Sequence, residues 1–91
     1  MAITLSLPAV LAPFAAGARD LSVTGSTVGA AVEELGVRFP ALKPRLAHTD
    51  GRPHPFVTFY VNDEDVRFLG GFETTLNDGD EITVVPAVAG G

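Results

Sequence analysis

The residues that offer chemistry lie at the end of the chain. The stretch Glu81-Ile82-Thr83-Val84-Val85-Pro86-Ala87-Val88-Ala89-Gly90-Gly91 begins as a strand, meets a proline and runs out through small residues to a Gly-Gly carboxylate. Glycine has no Cβ, so such an end is thin and its backbone adopts almost any φ/ψ. A thin end suits the threading of a terminal acyl group into a narrow active site on another protein. The residues after Pro86 reach at most roughly 17 Å when fully extended. On this reading Gly91 carries the reactive carboxylate, with Gly90, Ala89, Val88 and Ala87 as the arm that threads into a partner. Residues 1–86 are then the domain that holds the arm, and 87–91 the flexible tail. A terminal glycine pair by itself is as well explained as a frayed end, so the domain in front of it must decide.

Other groups that invite a chemical reading have simpler ones. His48 and His54 flank Asp50 in a loop rich in proline, where solvated histidines are the ordinary case and a metal site the exception. Asp63, Glu64 and Asp65 read as a tight turn with outward carboxylates rather than a cation site. Asp78 and Asp80 flank Gly79 and shape a turn in which glycine supplies positive φ. Gly70-Gly71 is internal and reads as a bend. The chain has no cysteine, which excludes a disulfide framework, a thiolate metal site and a cysteine nucleophile. No acid–base or nucleophile set stands out, so the expectation is a protein with no catalytic residue, no metal and no bound cofactor.

Composition narrows the classes further. Ninety-one residues, 46% hydrophobic and 19% charged, make one small globular domain, whose core is modest because a chain of this size buries only roughly two-thirds of its unfolded surface. The net charge is −5, with only six Lys and Arg scattered along the sequence. Nucleic acid needs a basic patch to neutralise phosphates and is therefore not an expected partner. An acidic domain is instead steered toward a basic docking surface. No apolar run approaches bilayer length, and the first residues alternate without a basic leader region. Together with the lack of cysteine, these features predict a cytoplasmic protein with no membrane partner.

The elements that must position the arm follow from periodicity. Ile3, Leu5 and Leu7 alternate with polar residues and predict a strand closed by Pro8. Residues Ala9 to Ala18 read as a loop, with Leu11 in the core and Phe14 either packed or exposed. Asp20 to Thr24 is a second strand. Ser26 or Thr27 caps a helix whose apolar face is Val28, Ala31, Val32 and Leu35, extended by Phe39 and ended by Pro40. Leu42 and Leu46 tuck under its end in a short turn, and Ala47 to Pro55 is a surface loop. Phe56 to Val61 is the most strand-like run, with Val57, Phe59 and Val61 inward and Phe56, Thr58 and Tyr60 on the other face. That face is read as a partner-docking surface, with Phe14 a further candidate. Asn62 to Asp65 is a turn, Val66 to Phe68 a short returning strand, Leu76 a lone anchor, Asn77 to Asp80 a turn and Glu81 to Val85 the last strand, with Ile82 and Val84 inward. The last strand lies most simply beside the first, parallel to it. The expected fold is α+β: a ubiquitin-like β-grasp, a mixed sheet of four to five strands with one main helix on one face.

Three stretches resemble the ThiS/MoaD-type sulfur carrier proteins: Arg38-Phe39-Pro40-Ala41-Leu42, Tyr60-Val61-Asn62-Asp63-Glu64-Asp65-Val66, and Leu76-Asn77-Asp78-Gly79-Asp80-Glu81-Ile82 running on to Pro86-Ala87-Val88-Ala89-Gly90-Gly91. The third is the most specific. The similarity spans essentially the whole chain, and within the family it is strongest to the CysO-type carriers of actinobacterial cysteine biosynthesis. The resemblance implies that an E1-like, MoeB/ThiF-type enzyme uses ATP to adenylate Gly91 and that sulfide or a persulfide converts it to a thiocarboxylate. It implies a sulfur-accepting partner such as a PLP-dependent cysteine synthase, and possible release by a metallopeptidase. Two other roles use the same arm, the small subunit of molybdopterin synthase and a ubiquitin-like protein tag. A plain binding module with an inert tail is the remaining alternative.

Overall fold

The structure is a computed structural model and describes residues 2–48, 53–55 and 57–86. Strand β1 (Ile3–Ser6) pairs antiparallel with β2 (Asp20–Val23), and helix α1 (Val28–Arg38) follows. A single helical turn, α2 (Lys43–Leu46), leads to β3 (Val57–Val61), the two-residue β4 (Glu64–Asp65) and finally β5 (Glu81–Pro86). The strand order is β2-β1-β5-β3-β4. β5 runs parallel to β1 and antiparallel to β3, so the last strand is the central one. This is the mixed sheet with one main helix that the sequence predicts.

Local chemistry accounts for the helix boundaries. Thr27 is extended and its Oγ1 accepts the Ala30 N–H at 3.1 Å, which satisfies one of the four unpaired donors of the first turn. Val28, Ala31, Val32 and Leu35 fall at helical spacing and are all buried. At the far end Phe39 departs from helical geometry before Pro40, its N–H reaching Leu35 C=O at 2.7 Å. Leu42 and Leu46, on either side of Lys43-Pro44-Arg45, are fully buried beneath that end. The inward faces of the strands (Ile3, Leu5, Leu21, Val23, Phe59, Val61, Ile82 and Val84) meet the helix to form the core. Phe59 sets its ring edge-on to Phe72 at 5.2 Å between centroids, an arrangement that suits the ring quadrupoles. Among the described residues no charged or polar residue is buried in this core.

The structure corrects several sequence-based expectations. Val66–Phe68 is a 3-10 turn rather than a returning strand. Asp65 is the reason: its carboxylate accepts the Arg67 backbone N–H at 2.9 Å and holds the Arg67 guanidinium at 2.6 Å. These local bonds turn the chain out of the ladder after two residues. The preceding turn is narrower than four residues. Asn62 and Asp63 alone form it, both with positive φ (49° and 73°), the conformation of a two-residue hairpin loop whose twist matches the strands. The loop after β1 contains a 3-10 turn, Ala12–Ala15, with Pro13 near its start, and Leu11 beside it is buried. β5 extends one residue further than expected, to Pro86, which pairs with Val57.

Candidate functional site

Gly91 and its arm, residues 87–91, lie outside the described residues, as do Asp50 and Phe56. What the fold shows is how the arm's root is built. β5 is held along both edges: Glu81, Ile82 and Thr83 pair with β1, and Ile82 to Pro86 pair with β3. Ile82 and Val84 point into the core while Val85 is 39% exposed on the other side. Pro86 closes the ladder opposite Val57, beyond the last β1 pairing at Thr83. The arm therefore starts from the end of the most constrained strand in the sheet.

The other end of β5 is clamped by the Asn77-Asp78-Gly79-Asp80 turn. Gly79 has φ +89°, a conformation that costs glycine nothing and other residues a steric penalty. Its N–H donates to Ala2 C=O at 2.8 Å, and Ala2 N–H donates to Asp78 Oδ1 at 2.6 Å. Asp80 accepts the Asn77 N–H at 2.7 Å and the Asn62 side-chain amide at 2.9 Å. Asn62 Oδ1 in turn accepts the Glu81 N–H at 3.1 Å. Asp78 and Asp80 thus tie together the starts of β1 and β5 and the β3–β4 turn. The Asn77 backbone donor, followed by the Asn62 amide, lowers the Asp80 pKa below the usual carboxylate value, because both stabilise the charged form. The Arg67 hydrogen bonds do the same for Asp65.

The outer face of the sheet carries the docking residues predicted from β3. Register places Tyr60 beside Thr83, Thr83 beside Ser6 and Ser6 beside Asp20, so one row crosses four strands. Ser6 Oγ donates to Asp20 Oδ1 at 2.9 Å. Thr58 stands beside Val85 in the next row but one. This face is hydroxyl-rich, with Tyr60 as its described aromatic, where the sequence reading stressed aromatics. Thr58 and Tyr60 are half-buried. Phe14 does not join them. It is half-buried against the core, with the Arg45 guanidinium 4.5 Å over its ring, and Arg45 belongs to α2 on the helix side of the sheet.

His48 and His54 come together, ring centroids 6.5 Å apart. With Val57, Phe59, Val66 and Arg67 they line a groove of about 450 Å³ beside the root of the arm. No group of three His, Cys, Asp or Glu among the described residues is arranged to hold a metal ion. No described helix is long and apolar enough to cross a membrane. Neither the Asp65–Arg67 pair nor the groove is among the features expected from the sequence. The first is legible in hindsight as an acid two residues before a base at a strand end. The second depends on a loop folding back.

A five-stranded mixed sheet grasping one helix, with its central strand leading to the terminus, defines a ubiquitin-like β-grasp protein. The ThiS family model matches residues 6–91, and the chain belongs to that family. It is 44% identical over 93 aligned residues to the sulfur carrier protein CysO of Mycobacterium tuberculosis, covering 100% of both chains. It is 39% identical over 66 residues to small archaeal modifier protein 3 of Haloferax volcanii, covering 72% of this chain and 71% of that one. Its backbone is similar to a chain in the crystal structure of the Amycolatopsis orientalis BexX/CysO complex, with TM-score 0.90, 40% identity and coverage of 98% and 99%. The family and the full-length relative support a sulfur carrier role.

Proposed function

We propose that the protein carries sulfur on Gly91 as a thiocarboxylate. The observation that carries this reading is the position of β5: the strand leading to the Gly-Gly end is central and paired on both edges. It therefore offers a rigid base from which a short arm enters a partner's cleft. Full-length similarity to a sulfur carrier protein supports it.

At neutral pH a terminal carboxyl with an ordinary pKa of about 3.5 is an anion, and its delocalised charge resists nucleophiles. An E1-like, MoeB/ThiF-type enzyme joins it to AMP, releasing pyrophosphate from ATP. Sulfide then attacks the acyl carbon and AMP leaves, so a C–S bond replaces the C–O bond to phosphate; where a persulfide attacks instead, the acyl disulfide it forms is cleaved by a second thiol, which leaves as a disulfide with the donor's sulfur and releases the thiocarboxylate. On a biosynthetic enzyme, such as a PLP-dependent cysteine synthase, the thiocarboxylate sulfur takes the place of the leaving group of an activated serine derivative, and the resulting Gly91 thioester passes to the amino acid's own nitrogen as an amide. A metallopeptidase then hydrolyses that amide, which frees the amino acid and restores the Gly91 carboxylate. Gly90, Ala89, Val88 and Ala87 thread the arm, and Thr58 and Tyr60 sit on the face that docks against the activating enzyme.

The test is mass spectrometry of the protein after incubation with ATP, sulfide and its cognate activating enzyme. Expected is the mass change of one oxygen-to-sulfur exchange, mapped to Gly91. Deleting Gly91 abolishes the exchange and leaves the thermal midpoint unchanged, because the described core ends at Val84. No exchange in the intact chain overturns the reading. The similarity to a small archaeal modifier protein favours a second reading, in which the same adenylate is passed to a lysine of a target protein. Gly-Gly remnants on target lysines in the source cells distinguish it.

A further inference from the structure

Phe68 is the most exposed large hydrophobic side chain among the described residues, at 84%, and Leu69 beside it is 45% exposed. Single apolar side chains on a surface are ordinary. Here two stand together, and the Arg67 guanidinium lies 6.0 Å from the Phe68 ring centroid. Phenylalanine and arginine are both enriched in protein interfaces relative to the rest of the surface.

The fold holds this knob in place. Val66 before it is buried, and Val66 C=O accepts the Leu69 N–H at 3.0 Å and the Gly70 N–H at 3.1 Å. After it, Gly70 C=O accepts the Glu73 N–H at 3.0 Å, and the Thr74 hydroxyl donates to Gly71 C=O at 2.7 Å. Phe72 packs edge-on against Phe59 in the core. Two successive 3-10 turns, Val66–Phe68 and Gly71–Glu73, thus present Phe68 and Leu69 outward between two anchored side chains. A side chain carried on a fixed backbone gives up little freedom when it docks.

Position and charge say what covers the knob. Asp65 stands opposite Tyr60 of β3, and directly opposite residues share a face of the sheet. Asp65 holds the Arg67 guanidinium, and that guanidinium lies by the Phe68 ring. Tyr60, Asp65, Arg67 and Phe68 therefore follow one another across the edge of the outer face. Val66 and Arg67 also line the groove with Val57, which pairs with Pro86 at the end of β5. An enzyme that docks on Tyr60 and works at that end of β5 meets the knob as well. Residues 63–73 carry four carboxylates, Asp63, Glu64, Asp65 and Glu73, against one guanidinium, Arg67, which Asp65 already engages. A second copy of the chain would set these acids against themselves, and like charges across an interface oppose association. The complement is an apolar pocket with a basic rim.

We propose that Phe68 and Leu69 are a second docking element for the activating enzyme, seated in an apolar pocket of that enzyme rimmed by Lys and Arg. The inference rests on the reading of this chain as a substrate of such an enzyme, and it extends the contact from the sheet face to the turn beyond β4.

The experiment measures two things with the full chain and its cognate activating enzyme: binding without nucleotide, and pyrophosphate exchange with ATP. Phe68→Ser is expected to weaken binding roughly tenfold, the loss typical of a buried interface anchor, and to raise KM in the exchange by the same factor. Its kcat and thermal midpoint stay those of the parent. Val37→Ser is the control. Val37 is 82% exposed but belongs to α1, on the opposite face of the sheet, and its loss leaves binding unchanged. Glu64→Gln combined with Glu73→Gln is expected to slow association and flatten its dependence on salt. Parent-like binding by Phe68→Ser, equal losses in Phe68→Ser and Val37→Ser, or no binding by the parent overturns the proposal. A parent association rate in the Glu64→Gln, Glu73→Gln variant overturns the basic rim. Binding that Phe68→Ser weakens, with no pyrophosphate exchange by any variant, upholds the docking element and overturns the activation of Gly91.

Discussion

Asp65 shows how much one carboxylate does in this molecule. It caps a 3-10 turn through the Arg67 N–H and holds the Arg67 guanidinium through both oxygens. Its side chain is largely covered while that of Arg67 is 71% exposed. The Arg67 side-chain hydrogen bonds, ahead of the backbone one, lower the pKa of Asp65 from its ordinary value of 3.8. The folded state therefore binds this proton less tightly than the unfolded chain does, and linkage fixes the sign. The stabilisation is present above about pH 4, the unfolded carboxylate value, and is lost as pH falls through the lower folded value. Asp80, lowered by Asn77 and Asn62, adds to the same window. Asp65→Asn is expected to flatten the acid limb of a stability–pH curve, with the gap to the parent closing below pH 4 in urea unfolding. A gap that stays constant with pH would show that the pair contributes no linked proton.

At the scale of elements, the contact between the end of β2 and helix α1 is set by the absence of one side chain. A Cβ at Gly25 would lie 2.6 Å from Ala31 N and 2.8 Å from Ala30 C. Both are helix backbone, so no rotamer change relieves the clash and α1 must move. Around this joint, Glu34 accepts both the Thr24 N–H and the Thr24 hydroxyl, and Arg38 donates to Ser22 C=O at 2.8 Å. Gly25→Ala is expected to cost about 1–3 kcal/mol, the usual range for overpacking. It would appear as a lower urea midpoint with an unchanged slope. The sulfur exchange at Gly91 should survive wherever the fold does, because β5 does not touch this joint by any strand pairing. The proton-linked Asp65 turn and this glycine contact act on different elements, so their effects should add.

At the scale of the whole molecule, charge and topology divide the work. A net charge of −5 favours encounter with a basic surface, and this steering is screened over roughly 8 Å at physiological ionic strength. Association with the activating enzyme is expected to slow with added salt, while the dissociation rate changes little. Tyr60→Ala should act the other way, raising the dissociation rate with the same salt slope and thermal midpoint. Stopped-flow binding separates the two. A salt-independent association rate would remove the electrostatic part of the docking proposal, and an unchanged dissociation rate in Tyr60→Ala would remove the face.

Patterning alone determined most of the architecture. Alternation in Ile3–Leu7, the β-branched and aromatic run Val57–Val61, helical spacing from Val28 to Leu35 and the Asn-Asp-Gly-Asp turn each follow from local preference, and together they imply a β-grasp. Residue type and position single out the Gly91 carboxylate, the chemistry proposed for it comes from the resemblance to the sulfur carrier family, and its arm lies outside the described residues. Contacts between residues distant in sequence were decided by the tertiary structure. A loop aromatic such as Phe14 has no periodicity to assign it, and only folding brings Arg45 over its ring. The Val66–Phe68 stretch has a strand's composition, yet the Asp65 carboxylate satisfies its backbone locally and bends it away. Lys43 is conspicuous in the sequence as the lone lysine. Its seat over Gly36 and its bond to Glu33 exist only once α1 and α2 are packed, because local preference cannot specify which surfaces meet.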